Sequence, residues 1–400
     1  GHDRTHNECN PARKLTTPKD TWVVAPNSDT LYLRSYLDLT DEPVVLHIPD
    51  MGERKFWFPL GNMYHNLLGH LSWDTIGFKG GYYSLCAPGW QGVLPDGVTR
   101  VARTTPMMWS LGRYAVSGQD DVAAVNKLQD KTWYVPLSQW KKDMTSAPRA
   151  KVDPGRYPVF TKKDMTDPQK YFTTMNEMLR RNPPLAKDHA LLGWFREINL
   201  HPEQQFDWSK LDPATQKGLT RAAADALKII EQKEKSFAKR VNGWVEAILD
   251  GDMSDDPVNH AGVTKMGLLY SQKEVSTYHV GYLDGDNKPL NGANKYTIKL
   301  DPVPPVDAFW SVTMYDAKTQ LYIENKINRY AFGDRTPGLV KDKDGSVTIY
   351  LQVDEPTDPT ARANWLPAPK GAFYLALREY SPKPAILTRG WVPPPVQKVK

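Results

Sequence analysis

The sequence predicts a mainly β protein with a helical segment, an α+β chain built from two antiparallel β-sandwich domains joined by an α-helical insertion. Three observations lead there. Apolar residues recur with period two in an early and a late zone, and with helical spacing between them. Proline (33), glycine (27), tryptophan (13) and tyrosine (19) are plentiful, which suits frequent turns between aromatic strands. The chain has 400 residues, more than one hydrophobic core usually serves.

Residues 1–20 read as an N-terminal arm and residues 21–140 as the first β domain. Between Thr30 and Leu39, Leu31, Leu33, Leu37 and Leu39 share one face while Tyr32, Arg34, Tyr36 and Asp38 share the other, the pattern of a half-buried strand. Turn signals follow at Pro49-Asp50-Met51-Gly52, Lys79-Gly80-Gly81, Pro88-Gly89 and Pro95-Asp96-Gly97. Asp120 opens a helix through Val122, Val125 and Leu128. Residues 141–262 read as linker and helical segment, with a surface linker from Asp143 to Tyr171. Leu219, Ala223, Leu227, Ile230, Phe237, Val241, Trp244 and Ile248 predict one long amphipathic helix, started by Asp212-Pro213 and ended before Gly251. Residues 263–400 form the second β domain, with alternation at Trp310/Val312/Met314, Val347/Ile349/Leu351/Val353 and Phe373/Leu375/Leu377. Arg378 falls on the face opposite the last three and is expected to be accessible or paired across the sheet.

The net charge of +5 comes from 51 basic and 46 acidic residues without a basic stripe, so no nucleic-acid partner is expected. No stretch approaches the ~20 apolar residues of a transmembrane helix. Cys9 and Cys86 can pair or stay free. The chain opens on Gly1-His2 instead of Met, and an N-terminal segment removed by processing, as a signal peptide would be, or by cloning is expected. Nucleotide-binding, hydrolase-elbow and zinc motifs are absent, so no cofactor or metal is expected. The acidic run from Asp250 to Asp256 lacks calcium-loop spacing and reads as a solvated loop.

The position of most interest is Asp29. Extending the leucine alternation backwards places Asp29, with Asn27, on the apolar face, where a carboxylate needs a cation or several donors. It is either a structural residue that caps a turn or pairs an arginine at the strand entry, or a catalytic acid or base, or a ligand anchor in a cleft. Asn328, Arg329, Asp334 and Arg335 form a second dense group, able to clamp an anion or to tie a loop. Trp365, in Asn364-Trp365-Leu366-Pro367-Ala368-Pro369, is a stacking platform or a loop residue packed over a sandwich end.

Pro26-Asn27-Ser28-Asp29-Thr30-Leu31-Tyr32, Pro88-Gly89-Trp90 and Leu111-Gly112-Arg113 resemble a bacterial domain of unknown function, number 1254. Phe309-Trp310-Ser311, Asn328-Arg329-Tyr330, Gly333-Asp334-Arg335 and the Trp365 stretch resemble the domain of unknown function 1214. Ser28 stands where Asn is commoner. The resemblance implies a double, jelly-roll-like sandwich with helices between, exported to the periplasm or secreted. The reading drawn from it is a hydrolase acting on a polar or glycan-like substrate in a cleft between the β domains. Asp29 is then the acid or base, Arg113, Arg329 and Arg335 tune it and hold substrate, and Tyr32 and Trp365 line the pocket. The alternative is a non-catalytic binding or envelope-structural module in which the Asp/Arg cluster locks the domains together. The expected partner is a small molecule or glycan, and a homo-oligomer is compatible with the sequence. In either case Asp29 should reach one of Arg113, Arg329 or Arg335.

Overall fold

The computed structural model describes residues 6–21, 24–148, 156–236 and 239–399. The first β domain holds β1 (Asn10–Pro11), β2 (Thr30–Asp38), β3 (Val44–Ile48), β4 (Phe56–Asn62), β5 (Leu67–Ser72), α1 (Trp73–Ile76), β6 (Gly81–Cys86), β7 (Val98–Ala102), β8 (Met107–Ala115), α2 (Val122–Asp130) and β9 (Trp133–Pro136). These strands make two sheets, β1-β2-β8-β4-β5 and β7-β6-β3-β9. Leu31, Leu33 and Leu37 of β2 meet Leu46, Ile48 and Leu85 of the facing sheet in one apolar core, as the alternation requires. The pairings are antiparallel except β6 with β7.

The intervening segment carries α3 (Pro168–Arg181), α4 (His189–Arg196) and α5 (Pro213–Ser236) around a small core that includes Phe172, Leu200, Phe206 and Leu219. Asp167 caps α3 by accepting from the Lys170 amide, ahead of a proline that has no amide to lose. Part of the expected linker, residues 149–155, lies outside the described residues. The long helix expected to run to Ile248 does not do so. It ends at Ser236, and β10 (Arg240–Val241) and β11 (Trp244–Ala247) follow as an antiparallel hairpin. Phe237 lies outside the described residues. The two-residue turn is Asn242-Gly243, with φ of 52° and 84°, the pair of left-handed residues a tight hairpin demands. Trp244, which continues the helical spacing, is instead wholly buried in the second sandwich.

The second β domain follows with α6 (Pro257–Met266), β12 (Ser276–Gly281), β13 (Tyr296–Leu300), β14 (Val306–Asp316), β15 (Ala331–Gly333), β16 (Val347–Gln352), α7 (Pro359–Ala363), β17 (Trp365–Pro367), β18 (Phe373–Pro382), α8 (Pro384–Leu387) and β19 (Gln397–Lys398). Its sheets are β10-β11-β12-β18-β14-β15 and β17-β16-β13-β19, with β16–β17 parallel. The hairpin read as helix therefore extends the larger sheet. Val312, Ile349, Leu375 and Leu377 fill the core. Cys9 and Cys86 are both free thiols.

The two sandwiches pack back to back. β2, β8 and β4 turn Tyr32, Arg113 and Trp57 away from their own core, and β12, β18 and β14 turn Tyr278, Tyr380 and Phe309 away from theirs. Trp57, Ala115, Val275, Phe309 and Tyr380 join across the seam. Outside this apolar spot the seam is polar, and the candidate site lies in it.

Candidate functional site

Strand register sets the seam. In the first domain Arg113 pairs with Tyr32 on one side and Trp57 on the other. In the second, Ser276–Tyr380–Phe309 and Tyr278–Arg378–Ser311 lie in neighbouring rows. Side chains of one row share a face, so the two sheets present Arg113 and Arg378 toward the same interior.

Asp29 lies one residue before β2 begins, in a bend. The backward extension of the leucine face stops there, and its carboxylate leaves its own sandwich for the other one. The Ser311 hydroxyl donates to Asp29 Oδ2 (2.6 Å) and Arg335 Nη2 approaches Oδ1 at 3.5 Å. The Asn27 side-chain carbonyl accepts from the Asp29 amide (2.7 Å), which holds the bend. Asp29 is 7% exposed. Arg335 also donates to the carbonyls of Val116 (3.1 Å) and Asp29 (3.3 Å) and lies 3.4 Å over the Phe309 ring. A guanidinium stacked on an aromatic face and bound to carbonyls is held in one orientation. Its outer side forms part of an open cleft of about 810 Å³ at the seam. Arg54, Lys55, Lys127, Lys131 and Arg335 line that cleft against Glu53 and Asp121. Arg54 and Asp121 neutralise one another through two 2.6 Å hydrogen bonds.

The other residues singled out in the sequence divide into two groups. Asn27 and Tyr32 belong to the seam: Asn27 Nδ2 donates to the hydroxyls of Tyr380 (2.7 Å) and Tyr32 (3.0 Å). Arg113 is buried there and donates to the Tyr32 hydroxyl at 3.4 Å. Arg329, Asn328 and Trp365 do not join Asp29. Arg329 donates to the carbonyls of Ala363 (3.0 Å) and Trp365 (2.8 Å), which ties its loop to the edge strand β17. Trp365 is buried in that strand, with its indole N–H on the Gln352 carbonyl (2.8 Å), so it offers no stacking platform. Asn328 accepts from Tyr330 and borders a separate groove beside Lys19. Asp334 is exposed, and one carboxylate oxygen accepts from the Trp310 amide (3.3 Å).

Several seam residues were not singled out from the sequence. Ser311 stands in the Phe309-Trp310-Ser311 stretch of the family resemblance, but nothing in the sequence gives it a site role until β14 is placed against Asp29. Tyr278, Tyr315 and Tyr380 carry no motif, although Tyr380 shares the Arg378 face by simple alternation. Arg378 itself is buried and paired across the sheet to Thr313 Oγ1 (2.7 Å), with further bonds to the Tyr315 hydroxyl (2.7 Å) and the Ala25 carbonyl (3.3 Å). That agrees with its register and shows why it needs no water.

Residues 6–136 match the protein of unknown function DUF1254, and residues 275–384 match the protein of unknown function DUF1214. The chain carries a DUF1254 domain followed by a DUF1214 domain. The seam is therefore the contact between them, with Asp29, Tyr32 and Arg113 from the DUF1254 side and Tyr278, Ser311, Arg335 and Arg378 from the DUF1214 side. The VPA0106 protein from Vibrio parahaemolyticus is similar in fold, with 26% identity and a TM-score of 0.78 over 99% of this chain and 92% of that one. A putative uncharacterized protein from Burkholderia cenocepacia matches at 13% identity and a TM-score of 0.48, over 100% of this chain and 83% of that one. No curated protein matches the chain.

Proposed function

We propose that this DUF1254–DUF1214 protein is a binding module for a small polar ligand with more than one negative charge, such as a short acidic glycan, held in the cleft at the seam. The observation that carries the reading is the engagement of Asp29 by the opposite domain on both carboxylate oxygens, by Ser311 and by Arg335. A carboxylate so occupied acts as an interdomain lock, and Arg335, on the cleft side of it, supplies a fixed cation. The excess of cations in the lining and a volume within the range usual for ligand pockets support the ligand class. Hydrolysis with Asp29 as acid or base has less support, because Arg335 stands between it and the cleft. The exported location implied by the family resemblance belongs to the same proposal and is tested by fractionating cells that carry the protein.

The test is calorimetric titration with an acidic disaccharide and its neutral counterpart. Binding of the acidic sugar alone, weakened in a Lys127→Ala/Lys131→Ala variant and kept in Asp29→Asn, is expected. Turnover of a glycan that vanishes in Asp29→Asn while melting is unchanged would replace this reading with the hydrolase.

A further inference from the structure

Arg113 is 4% exposed yet has no carboxylate within ion-pair distance among the described residues. Its Nε has no hydrogen-bond partner, its bond to the Tyr32 hydroxyl is long (3.4 Å), and its remaining contacts are the neutral Tyr380 hydroxyl and the Tyr32 ring, 5.2 Å away. Arg378, 4% exposed, likewise leaves its Nε unpartnered and binds only hydroxyls and a carbonyl, with Asp29 acting on it from outside ion-pair reach. A buried guanidinium without a counter-charge is strongly unfavourable, so the site lacks an anion. The surrounding groups are donors as well. Tyr32, Tyr278 and Tyr380 present phenols to Arg113, Asn27 points its amide N–H groups at two of them, and the Ser276 hydroxyl (3.2 Å) and the buried Ser271 hydroxyl lie beside that of Tyr278. The field of the two cations is registered by Tyr278: burial raises its pKa, but Arg113 and Arg378 outweigh burial and hold it below the ordinary tyrosine value. A place that favours a phenolate favours any anion set against Arg113. Tyr32 and Tyr278 are both only half-buried, whereas Trp57, Phe309 and Tyr380 pack on the side toward the cleft.

We propose that Arg113, Tyr32 and Tyr278 form a second ligand site at the domain seam, distinct from the cleft, which takes the carboxylate of a small monoanionic acid between two tyrosine rings. A bidentate guanidinium–carboxylate contact fills the missing counter-charge, and the flat phenol rings favour a planar acid.

Benzoate is the probe, with benzyl alcohol and inorganic phosphate as controls, measured by calorimetric titration and thermal shift at pH 7. Benzoate is expected to bind and to raise the melting temperature, and benzyl alcohol to do neither. Tyr32→Phe should weaken benzoate about fivefold or more and Arg113→Gln should abolish binding, while Lys127→Ala/Lys131→Ala should leave it unchanged. If Arg113→Gln fails to fold, Tyr32→Phe and Ser271→Ala decide. The proposal is overturned by absent benzoate binding, by phosphate binding in its place, or by binding that survives the seam variants or is lost with the cleft lysines. It is also overturned if the ligand-free protein shows phenolate absorbance near 295 nm at pH 7 that disappears in Tyr278→Phe, because the counter-charge is then internal.

Discussion

Asp29 and Arg335 hold each other in place because each fills a role that water would otherwise fill. Asp29→Asn keeps the shape and the Ser311 contact but removes the charge facing Arg335. That guanidinium is 25% exposed, so solvent returns part of the loss. We expect a stability loss of about 1–2 kcal/mol in urea for Asn, and a larger loss for Asp29→Ala, which also strands the Ser311 hydroxyl. Equal losses for the two variants would contradict the lock. A second buried pair lies in the C-terminal sandwich, where His279 Nδ1 meets Glu379 at 2.8 Å. Burial disfavours the charged imidazole, but Glu379, with Glu246 behind it, outweighs burial and raises its pKa above the usual 6.5. The sign follows: the stability from charged His279 is complete below 6.5 and is lost as pH rises through the raised folded value. Melting temperatures from pH 6 to 9 should therefore fall more steeply in the wild type than in His279→Gln.

At the level of elements, the hairpin that replaces the end of the expected helix depends on Gly243. Its φ is 84°, and an added Cβ would lie 2.6 Å from the Leu283 carbonyl oxygen. Gly243→Ala should thus cost more than about 1 kcal/mol in chemical denaturation, through strain and through displacement of Trp244 from the core. Helix α6 is held by His65, whose Nδ1 meets the Thr264 hydroxyl (3.2 Å), whose Nε2 accepts from the Leu269 amide just beyond the helix (2.9 Å), and whose ring stacks on Trp109. Burial, aided by His260, lowers the His65 pKa to about 4. Neutral His65 contributes stability above 6.5, and that contribution is lost as pH falls from there through about 4. Hydrogen exchange over α6 should accelerate across that window, and His65→Phe should remove the dependence.

For the whole molecule, the four sheets enclose three interfaces, of which the outer two are apolar and the middle one is polar apart from the Trp57 cluster. Trp57 is fully buried at the seam and donates its indole N–H to the Ser381 hydroxyl (3.2 Å). The two domains should melt in one calorimetric transition. Trp57→Ala, a loss of about 3–5 kcal/mol by the usual cost of emptying such a site, should lower that transition or split it in two. A transition unmoved by the substitution would mean the seam contributes nothing to the fold.

The amino-acid sequence by itself determined the two β zones, the helical segment between them, the core faces of Leu31/Leu33/Leu37 and Leu375/Leu377, and the need of Asp29 for a partner. These are local: period, turn residues and the cost of burying a charge are all written within a few positions. The turn at Asn242-Gly243 was equally legible, but its two residues were outweighed by a helical spacing that ran past them. Only the tertiary structure decided which arginine reaches Asp29. Arg113, Arg329 and Arg335 are alike in sequence, and the choice followed from the back-to-back packing of the sheets, which brings β14 and the loop after β15 to the entry of β2. The same packing set Arg113 and Arg378 among tyrosines from strands more than 150 residues apart in sequence, a convergence of side chains that no short-range pattern records.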